Sequence, residues 1–292
     1  MQVKALACEL PAASGVPLSR WSATELAGAV VERGLVASIS GSTVWRWLNA
    51  DAIRPWHHRS WIFPRDPDFA TKAGRVLDLY HGYWQGEGLT DEDFVLCADE
   101  KTSIQVRRRQ HVSAAPRPHQ AMRVEHEYQR AGAWAYLAAW DVKHARLVGR
   151  CEPSTGIEPF HRLLADVLAQ PPYSHARRLF FIVDNGSSHR GRRSIQRCQD
   201  RYPKHPQVIL VHLPIHASWL NQIEIYFSIV QRKLLTPNDF TTPNEVPDRL
   251  LAFQQRYQAM ARPFQWQFTR HDLAELITKL NANPDTPLAQ AA

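Results

Sequence analysis

The chain has 292 residues, of which 44% are hydrophobic and 22% charged, and its formal net charge is +7. This composition is typical of a globular protein large enough to bury a core and excludes a disordered or fibrous chain. No apolar stretch is long enough to cross a bilayer, and the four cysteines form no Cys-x-x-Cys pair, which argues against a membrane protein, a zinc ribbon and a disulfide framework. We therefore expect a cytoplasmic protein without a membrane partner. The excess of arginine favours a polyanionic partner, although a solvated basic face gives the same charge balance.

Two helical patterns stand close together in the first fifty residues. Ser22 and Glu25 form a capping box that starts the first helix, and Gly34 ends it. A second helix is predicted over residues 43–50, with Ser42 at its start. Two helices joined by a short turn are typical of a helix-turn-helix module, although an ordinary helical hairpin gives the same pattern.

The second predicted helix has one apolar face, formed by Val44, Trp47 and Leu48. In a helix-turn-helix module the other side of this helix enters the major groove of DNA. The basic and aromatic segment that follows, 54–61, is predicted to be an extended connector, because Pro55 interrupts any helix there. The residues predicted to contact DNA in this region are Ser42, Thr43, Arg46, Asn49 and Arg54.

Residues 66–85 return to a helical periodicity, and from Phe94 onward apolar runs of strand length alternate with helical patterns. Strands are predicted at 94–98, 134–140, 146–152, 179–183 and 208–213, and helices at 157–169, 194–202 and 222–235. The early strands favour antiparallel pairing, whereas the later ones alternate with crossover helices. We therefore expect an α/β fold, a mixed sheet flanked by helices and preceded by a small all-α module.

Acidic residues follow two of the predicted strands. Asp99 and Asp184 each come directly after a buried run, and Glu224 lies near the start of a later helix. A carboxylate at such a strand end must be solvated, paired or bound to a metal, and three that converge would attract divalent ions suited to phosphodiester chemistry. Each acid taken singly is more often a turn or capping residue. Glu100 rivals Asp99, because neighbours on a strand face opposite sides.

Four segments, in their order along the chain, carry a resemblance to a known family. They are ADEKTSIQ at 98–105, VDNGSSH at 183–189, HASWLNQIE at 216–224 and PFQWQFT at 263–269. Together they resemble the bacterial mariner-like insertion-sequence transposases, and the resemblance runs from about residue 21 to residue 280. Members of that family carry a DDE catalytic domain of the ribonuclease H-like, retroviral-integrase type, so the resemblance implies a ribonuclease H-like sheet in this chain.

The resemblance also implies the roles of individual residues. It makes Asp99, Asp184 and Glu224 the catalytic and metal-binding triad, with Mg²⁺ or Mn²⁺ as the cofactor and two ions at the site, and it selects Asp99 over Glu100. The supporting residues that it places around the triad are Asn185, His189 and Asn221. From the residues alone, His189 near a helix start is equally well explained as a structural hydrogen-bonding residue.

Clustered arginines flank a loop rich in proline and polar residues, and others precede the helix predicted at 194–202. Such a pattern indicates a surface that follows the phosphate backbone of DNA without reading its bases. The arginines predicted to form this surface are Arg107, Arg108, Arg109, Arg117, Arg123, Arg130, Arg190, Arg192 and Arg193.

The predicted organisation has four parts: a helix-turn-helix DNA-binding region at 1–62, a helical linker at 63–92, a ribonuclease H-like DDE catalytic domain at 93–280 and a flexible tail at 281–292. Relatives usually carry two helix-turn-helix units, so we expect the N-terminal region to be incomplete. The resemblance implies a transposase acting as a homodimer on double-stranded DNA in the bacterial nucleoid. It would cut the ends of its element and join them to target DNA. Two alternatives stay open: a truncated or catalytically incompetent DNA-binding protein derived from a transposase, and a ribonuclease H-like nuclease.

Overall fold

The computed structural model describes residues 2–58, 64–203 and 207–281. The chain divides into two compact units, Met1–Phe63 and Pro64–Ala292. The end of the predicted connector, residues 59–61, and the predicted tail from residue 282 onward lie outside the described residues.

The described part of the N-terminal unit, residues 2–58, contains three α-helices. They are α1 (Gln2–Ala7), α2 (Ala23–Glu32) and α3 (Gly41–Ala50). Their apolar faces enclose a small core in which Leu26, Val30, Val44 and Leu48 are fully buried. The sequence analysis missed α1, because a helix of six residues is too short to show a clear apolar period.

The two longer helices of this unit start differently. Ser22 caps α2 as predicted, since its hydroxyl accepts from the Glu25 amide at 3.1 Å and the Glu25 carboxylate accepts from the Ser22 amide at 3.0 Å. The prediction of Ser42 at the start of α3 was wrong, because Ser40 is the capping residue and accepts from the Thr43 amide at 3.2 Å. The helix therefore begins two residues earlier than predicted.

The buried face of α3 is narrower than predicted. Val44 and Leu48, four residues apart, supply its fully buried side chains, whereas the Trp47 side chain is 46% exposed. The prediction that Trp47 shares this apolar face was wrong, because only the stripe of the helix that contains Val44 and Leu48 is buried. Trp45 is exposed as well.

The second unit is built on a five-stranded sheet, preceded by a small hairpin. The strands in chain order are β1 (Tyr83–Trp84) and β2 (Glu87–Gly88) in the hairpin, then β3 (Asp93–Arg108), β4 (Gln129–Asp141), β5 (Leu147–Glu152), β6 (Arg178–Val183) and β7 (Gln207–His212). The sheet has the order β5-β4-β3-β6-β7, with β3, β4 and β5 antiparallel and β3, β6 and β7 parallel. The predicted α/β class with a mixed sheet is confirmed.

Six helices accompany this sheet. They are α4 (Phe69–Tyr80), α5 (Ile157–Leu168), α6 (Gly191–Arg201), α7 (Ile223–Lys233), α8 (Glu245–Gln258) and α9 (Arg270–Asn281). Along β3, Val95 and Cys97 pack into the core shared with α4, α7 and α8. Leu96 and Ala98 pack on the opposite face, into the core shared with α5 and α6. In the part of the chain that the structure describes, no helix has the length and apolar character needed to span a membrane.

The segment 66–85 is only partly helical. The helix α4 ends at Tyr80, and the β1–β2 hairpin that follows turns at Gln85 and Gly86, both with positive φ (52° and 87°). Two consecutive residues of positive φ form the tight turn that two-residue hairpins favour. The segment predicted as a linker also contributes to the main core, where Ala73 and Leu77 of α4 are completely buried.

Candidate active site

The pairing of β3 with β6 places two of the predicted triad residues side by side. These strands are parallel, with Cys97 opposite Ile182. Two residues further on, the same register brings Asp99 beside Asp184. Because alternate residues of a strand share a face, both aspartates project on the side of the sheet where Cys97 and Ile182 pack against α7.

Helix α7 carries the third acid, Glu224, in its first turn. The chain just before it is tied to β3, because the Asn221 side-chain amide donates to the Ala98 carbonyl at 3.2 Å and to Asp99 Oδ2 at 3.3 Å. The Tyr80 hydroxyl anchors the same segment by donating to the Leu220 carbonyl at 2.6 Å. These contacts bring the start of α7 to the stretch of β3 that contains Asp99, so Glu224 lies on the face that carries both aspartates.

The electrostatics of the site reflect this clustering of acids. Burial, together with the negative charges of Asp184, Glu100 and Glu224, raises the pKa of Asp99 to about 7. Burial also raises the pKa of Glu224, although the nearby Lys101 ammonium lowers it. Asp184 behaves differently, because a hydrogen bond from His189 lowers its pKa below the ordinary value. The site thus holds more negative charge than its own cations neutralise.

The donor set suits a hard divalent cation. Carboxylate oxygens are the ligands that Mg²⁺ and Mn²⁺ prefer, and the raised pKa of Asp99 marks charge that such an ion would compensate. Beside it, Asn221 Oδ1 is buried without a hydrogen-bond partner. Within the described ranges, no three His, Cys, Asp or Glu side chains stand close enough to hold one ion. The acids therefore share a face and an electrostatic field, and binding one ion together would require them to draw closer.

The predicted supporting residues hold the loop after β6. His189 is completely buried, and its Nε2 contacts Asp184 Oδ1 closely. The Gly186 amide donates to the same oxygen at 2.7 Å. Asn185 donates to the Leu213 carbonyl at 2.8 Å and so fastens this loop to the end of β7. The structure therefore brings His189 and Asn221 into contact with triad residues, whereas Asn185 supports the loop.

Glu100 lies on the opposite face of β3 from Asp99, as strand alternation requires. Its carboxylate accepts a hydrogen bond from the Ser188 hydroxyl at 3.0 Å. Sequence reasoning did not single out Ser188, although it stands in the segment VDNGSSH directly before His189.

The arginines of the β3–β4 region divide into two groups. The Arg109 guanidinium is 7% exposed and already occupied, since it donates to the Glu125 carbonyl at 2.7 Å and lies 3.5 Å from the Asp239 carboxylate. The predicted contact of Arg109 with DNA is not supported, because its guanidinium group is already bound within the protein. Arg107 instead lies over the Tyr128 ring, 4.6 Å from its centroid, and Arg108 is exposed.

A cavity of about 860 Å³ runs beside these side chains. Lys101, Arg107, Tyr128 and Arg130 are among the residues that line it. Because the Lys101 ammonium also interacts with Glu224, the cavity opens next to the acids. Tyr128 was missed in the sequence, where nothing set it apart from the other aromatic residues.

The remaining predicted DNA-binding residues lie on the surface of one unit or the other. Those that are exposed are Ser42, Arg46, Asn49 and Arg54 in the N-terminal unit, and Arg117, Arg123, Arg130, Arg190, Arg192 and Arg193 in the second unit. Thr43 is only partly exposed, and its hydroxyl lies 3.0 Å from the Ser40 hydroxyl.

Comparison with known proteins gives the family. A sequence-family profile described as DDE superfamily endonuclease matches residues 94–246, just over half of the chain. No curated protein sequence matches the chain.

Three solved structures have the same fold. The Mos1 mariner paired-end complex with Mn is 13% identical with a TM-score of 0.53, and the match covers 96% of this chain and 76% of that one. The pre-cleavage Mos1 transpososome is 10% identical with a TM-score of 0.51, and the match covers 96% of this chain and 78% of that one. The Mos1 strand transfer complex is 11% identical with a TM-score of 0.50, and the match covers 96% of this chain and 75% of that one. The likeness confirms the ribonuclease H-like fold predicted for the sheet. On the profile and this fold together, the chain belongs to the DDE superfamily endonucleases and shares the fold of mariner transposases.

Proposed function

We propose that this endonuclease is the transposase of a bacterial insertion sequence, which cuts DNA at the ends of its element and joins the freed 3′-hydroxyl to target DNA. The proposal is supported by the register of β3 and β6, which puts Asp99, within β3, beside Asp184 at the end of β6, and by the contacts of Asn221 that bring Glu224, at the start of α7, toward them. Three acids that are distant in the sequence gather there without enough positive charge to neutralise them.

Asp99, Asp184 and Glu224 would hold divalent ions, Mg²⁺ or Mn²⁺ and two in number, which activate the attacking oxygen and stabilise the leaving oxygen when bound. The paired-end complex of Mos1 that the chain resembles contains Mn. Asn221 contributes by fixing the Asp99 carboxylate, and His189 by fixing that of Asp184. Hydrolysis and strand transfer would be successive displacements at phosphorus in one site, so no covalent protein–DNA intermediate is needed.

Double-stranded DNA would bind through basic surfaces on both units. In the second unit, Arg107 and Arg130 line the cavity beside the acids and Arg108 is exposed, and within the described ranges none of the three forms an ion pair, so their guanidinium groups suit phosphate. In the N-terminal unit, the exposed side of α3 carries Arg46 and Asn49 for the major groove. Residues 1–62 would thus bind the element ends and residues 93–280 would perform the chemistry. Since each element has two ends, the active species would be a homodimer.

The deciding experiment is incubation of the full chain with the ends of its own element, with and without Mg²⁺, followed by mapping of the nicks. The expected result is Mg²⁺-dependent cleavage at the element boundary that exposes a 3′-hydroxyl, and then joining to a target duplex. Absence of nicks in Mg²⁺ and in Mn²⁺ would contradict the proposal and favour a protein that only binds DNA.

The same assay includes an RNA:DNA hybrid and a four-way junction as substrates. A ribonuclease H-like nuclease would cut these in preference to the element ends. The N-terminal unit favours the transposase, because its exposed α3 face offers a DNA contact that a nuclease of this fold does not require.

A further inference from the structure

A continuous chain of hydrogen bonds crosses from one face of the sheet to the other at the candidate active site. The Ser188 hydroxyl donates to Glu100 Oε1 at 3.0 Å and lies 3.0 Å from His189 Nδ1. The other ring nitrogen, Nε2, contacts Asp184 Oδ1. Glu100 is thereby connected to Asp184 through two buried side chains, although the two acids project on opposite sides of the sheet.

The chemistry of these groups gives the chain a direction. Asp184 Oδ1 accepts a hydrogen bond from the Gly186 amide, and a carboxylate oxygen that faces a ring nitrogen is the acceptor of that bond as well. Nε2 of His189 therefore carries the proton of the bond to Asp184. Ser188 Oγ accepts from Nδ1 of the same ring while its own proton goes to Glu100, so both ring nitrogens donate and the ring cannot rotate without breaking both bonds.

Packing around His189 leaves its ring little freedom. The Phe160 ring lies 5.0 Å away between centroids, and the His189 carbonyl accepts from the Ser194 hydroxyl at 2.5 Å. Gly186 makes room for the contact with Asp184, since a Cβ at that position would stand 2.9 Å from Asp184 Oδ1 and 3.1 Å from His189 Nε2. A side chain at residue 186 would push the pair apart.

The result of these contacts is a fixed carboxylate. Asp184 Oδ1 accepts from both His189 and the Gly186 amide. Within the described part of the chain, Oδ2 accepts no hydrogen bond and is the oxygen left for a cation. Partners of this kind, which orient a metal ligand without touching the metal, typically change affinity or activity by about 10- to 100-fold when they are removed.

We propose that Glu100 is a positioning residue for Asp184, acting through Ser188 and His189 to fix that carboxylate for a divalent ion. This inference rests on the proposed function, because it presumes that Asp184 is a metal ligand. It also explains why two acids stand next to each other on β3: Asp99 faces the metal-binding side, and Glu100 supports the neighbouring ligand from behind.

The test measures Mn²⁺ binding to the metal-free full chain by calorimetry, alongside Mn²⁺-dependent nicking of a supercoiled plasmid. Glu100→Ala and Ser188→Ala are each expected to weaken Mn²⁺ binding by about 10-fold or more. Glu100→Gln is expected to stay within about threefold of the wild type, because the glutamine carbonyl still accepts from Ser188. Thermal unfolding shows that each variant is folded, and Glu158→Ala, an exposed acid paired with Arg201, serves as the control without effect.

A double-mutant cycle separates positioning from a merely structural role. If Glu100 acts through His189, then Glu100→Ala in the His189→Ala background costs no further affinity, whereas independent effects would multiply. Multiplying effects would overturn the inference. So would a Glu100→Gln variant as inactive as Asp184→Asn, which would make Glu100 a metal ligand itself.

The two readouts separate this inference from the proposed function. Wild-type Mn²⁺ binding that Glu100→Ala weakens, without any nicking, would contradict the transposase and leave the positioning role standing. Nicking that Glu100→Ala and Ser188→Ala leave unchanged would overturn the positioning role alone. A wild-type chain that binds no Mn²⁺ would overturn the inference directly.

Discussion

Strand β3 carries two aspartates six residues apart, Asp93 buried and Asp99 half-buried, and the protein treats them in opposite ways. Asp93, at the start of the strand, accepts four hydrogen bonds of 2.5–3.0 Å from the guanidinium groups of Arg177 and Arg178. Burial alone would raise the pKa of Asp93, but the hydrogen bonds from the two arginines outweigh it and hold the pKa well below its ordinary value.

Asp99, near the middle of the same strand, has no guanidinium partner among the residues that the structure describes. Its nearest charges are carboxylates, and its pKa rises to about 7. A charge that serves only the fold is thus neutralised by the protein itself. A carboxylate that is left unneutralised in a cluster of acids is a candidate for function. The repulsion between the acids destabilises the folded protein, and a bound cation would remove that repulsion.

The sharpest way to break this comparison is to neutralise a proposed metal ligand. Asp184→Asn is expected to lower metal-dependent cleavage by about 1,000-fold or more, since the transition state would lose several kcal/mol of stabilisation by the metal. Binding to duplex DNA should stay within about twofold, because Asp184 belongs to no basic surface. The measurement is cleavage of element ends in Mg²⁺ together with a filter-binding assay. Unchanged cleavage would remove the triad assignment.

Substitution of Asp93, the aspartate paired with two arginines, should change the stability of the fold and not the metal-dependent chemistry. Asp93→Ala is expected to lower the free energy of unfolding by about 3 kcal/mol, because it leaves two guanidinium groups without their buried partner. Since the folded-state pKa of Asp93 is depressed, this contribution is present above about pH 4 and is lost as the pH falls toward the lower folded-state pKa. Urea denaturation at several pH values measures it.

A matched control for Asp93 is Glu158, whose carboxylate pairs with Arg201 but is 61% exposed. Glu158→Ala should lower the free energy of unfolding far less than Asp93→Ala does, because exposed ion pairs are screened by solvent. Equal losses from the two variants would mean that burial of the Asp93 pair has no energetic consequence.

In the metal-free protein, Asp99→Asn should raise the free energy of unfolding, whereas Asp93→Ala lowers it. The folded-state pKa of Asp99, about 7, exceeds the ordinary value of 3.8, so the folded protein binds this proton more tightly than the unfolded chain does. The wild type therefore loses stability between about pH 4 and pH 7, and the asparagine variant should be about 2 kcal/mol more stable at pH 8. The new amide can also donate to Asn221 Oδ1, which has no partner in the wild type.

Thermal unfolding in EDTA across this pH range checks the expectation for Asp99. Saturating Mg²⁺ should reverse the order of stability, because only the wild type retains the full ligand set. A variant less stable than the wild type at pH 8 in EDTA would show that Asp99 is not under electrostatic strain.

Local signals in the sequence were enough for the elements that position the acids. The apolar run before Asp184 located β6, and the capping box at Ser22 located α2. The run before Asp99 located only the first part of β3; the prediction that the strand ends there was wrong, because β3 continues through polar residues to Arg108 while paired with β4. Alternation along β3 also predicted that Asp99 and Glu100 face opposite sides of the sheet, although the choice of Asp99 as the metal ligand depended on the family resemblance.

Features that depend on distant partners could not be predicted in this way. Arg109 looked like a free basic side chain, but it is occupied by Asp239, which lies 130 residues away in the sequence. The hydrogen-bonded chain from Glu100 to Asp184 joins segments 84 residues apart, so Ser188 carried no signal of its own. Even the local start of α3 was missed, since Ser40 and Ser42 are both good capping residues.

The smallest expected effect extends the comparison from paired and unpaired acids to paired and unpaired arginines. Arg192 is exposed at the start of α6 and has no ion pair within the described residues, whereas Arg177 is occupied by Asp93. If unpaired arginines contact phosphate, binding to generic duplex weakens steeply with salt, and Arg192→Ala should reduce the slope of log affinity against log salt by about 0.9. Arg177→Ala should leave the slope unchanged, because Nε and Nη2 of its guanidinium already donate to the Asp93 carboxylate, which balances its charge. Fluorescence anisotropy over a series of KCl concentrations measures both slopes, and equal slopes for the two variants would show that this surface does not bind the DNA backbone.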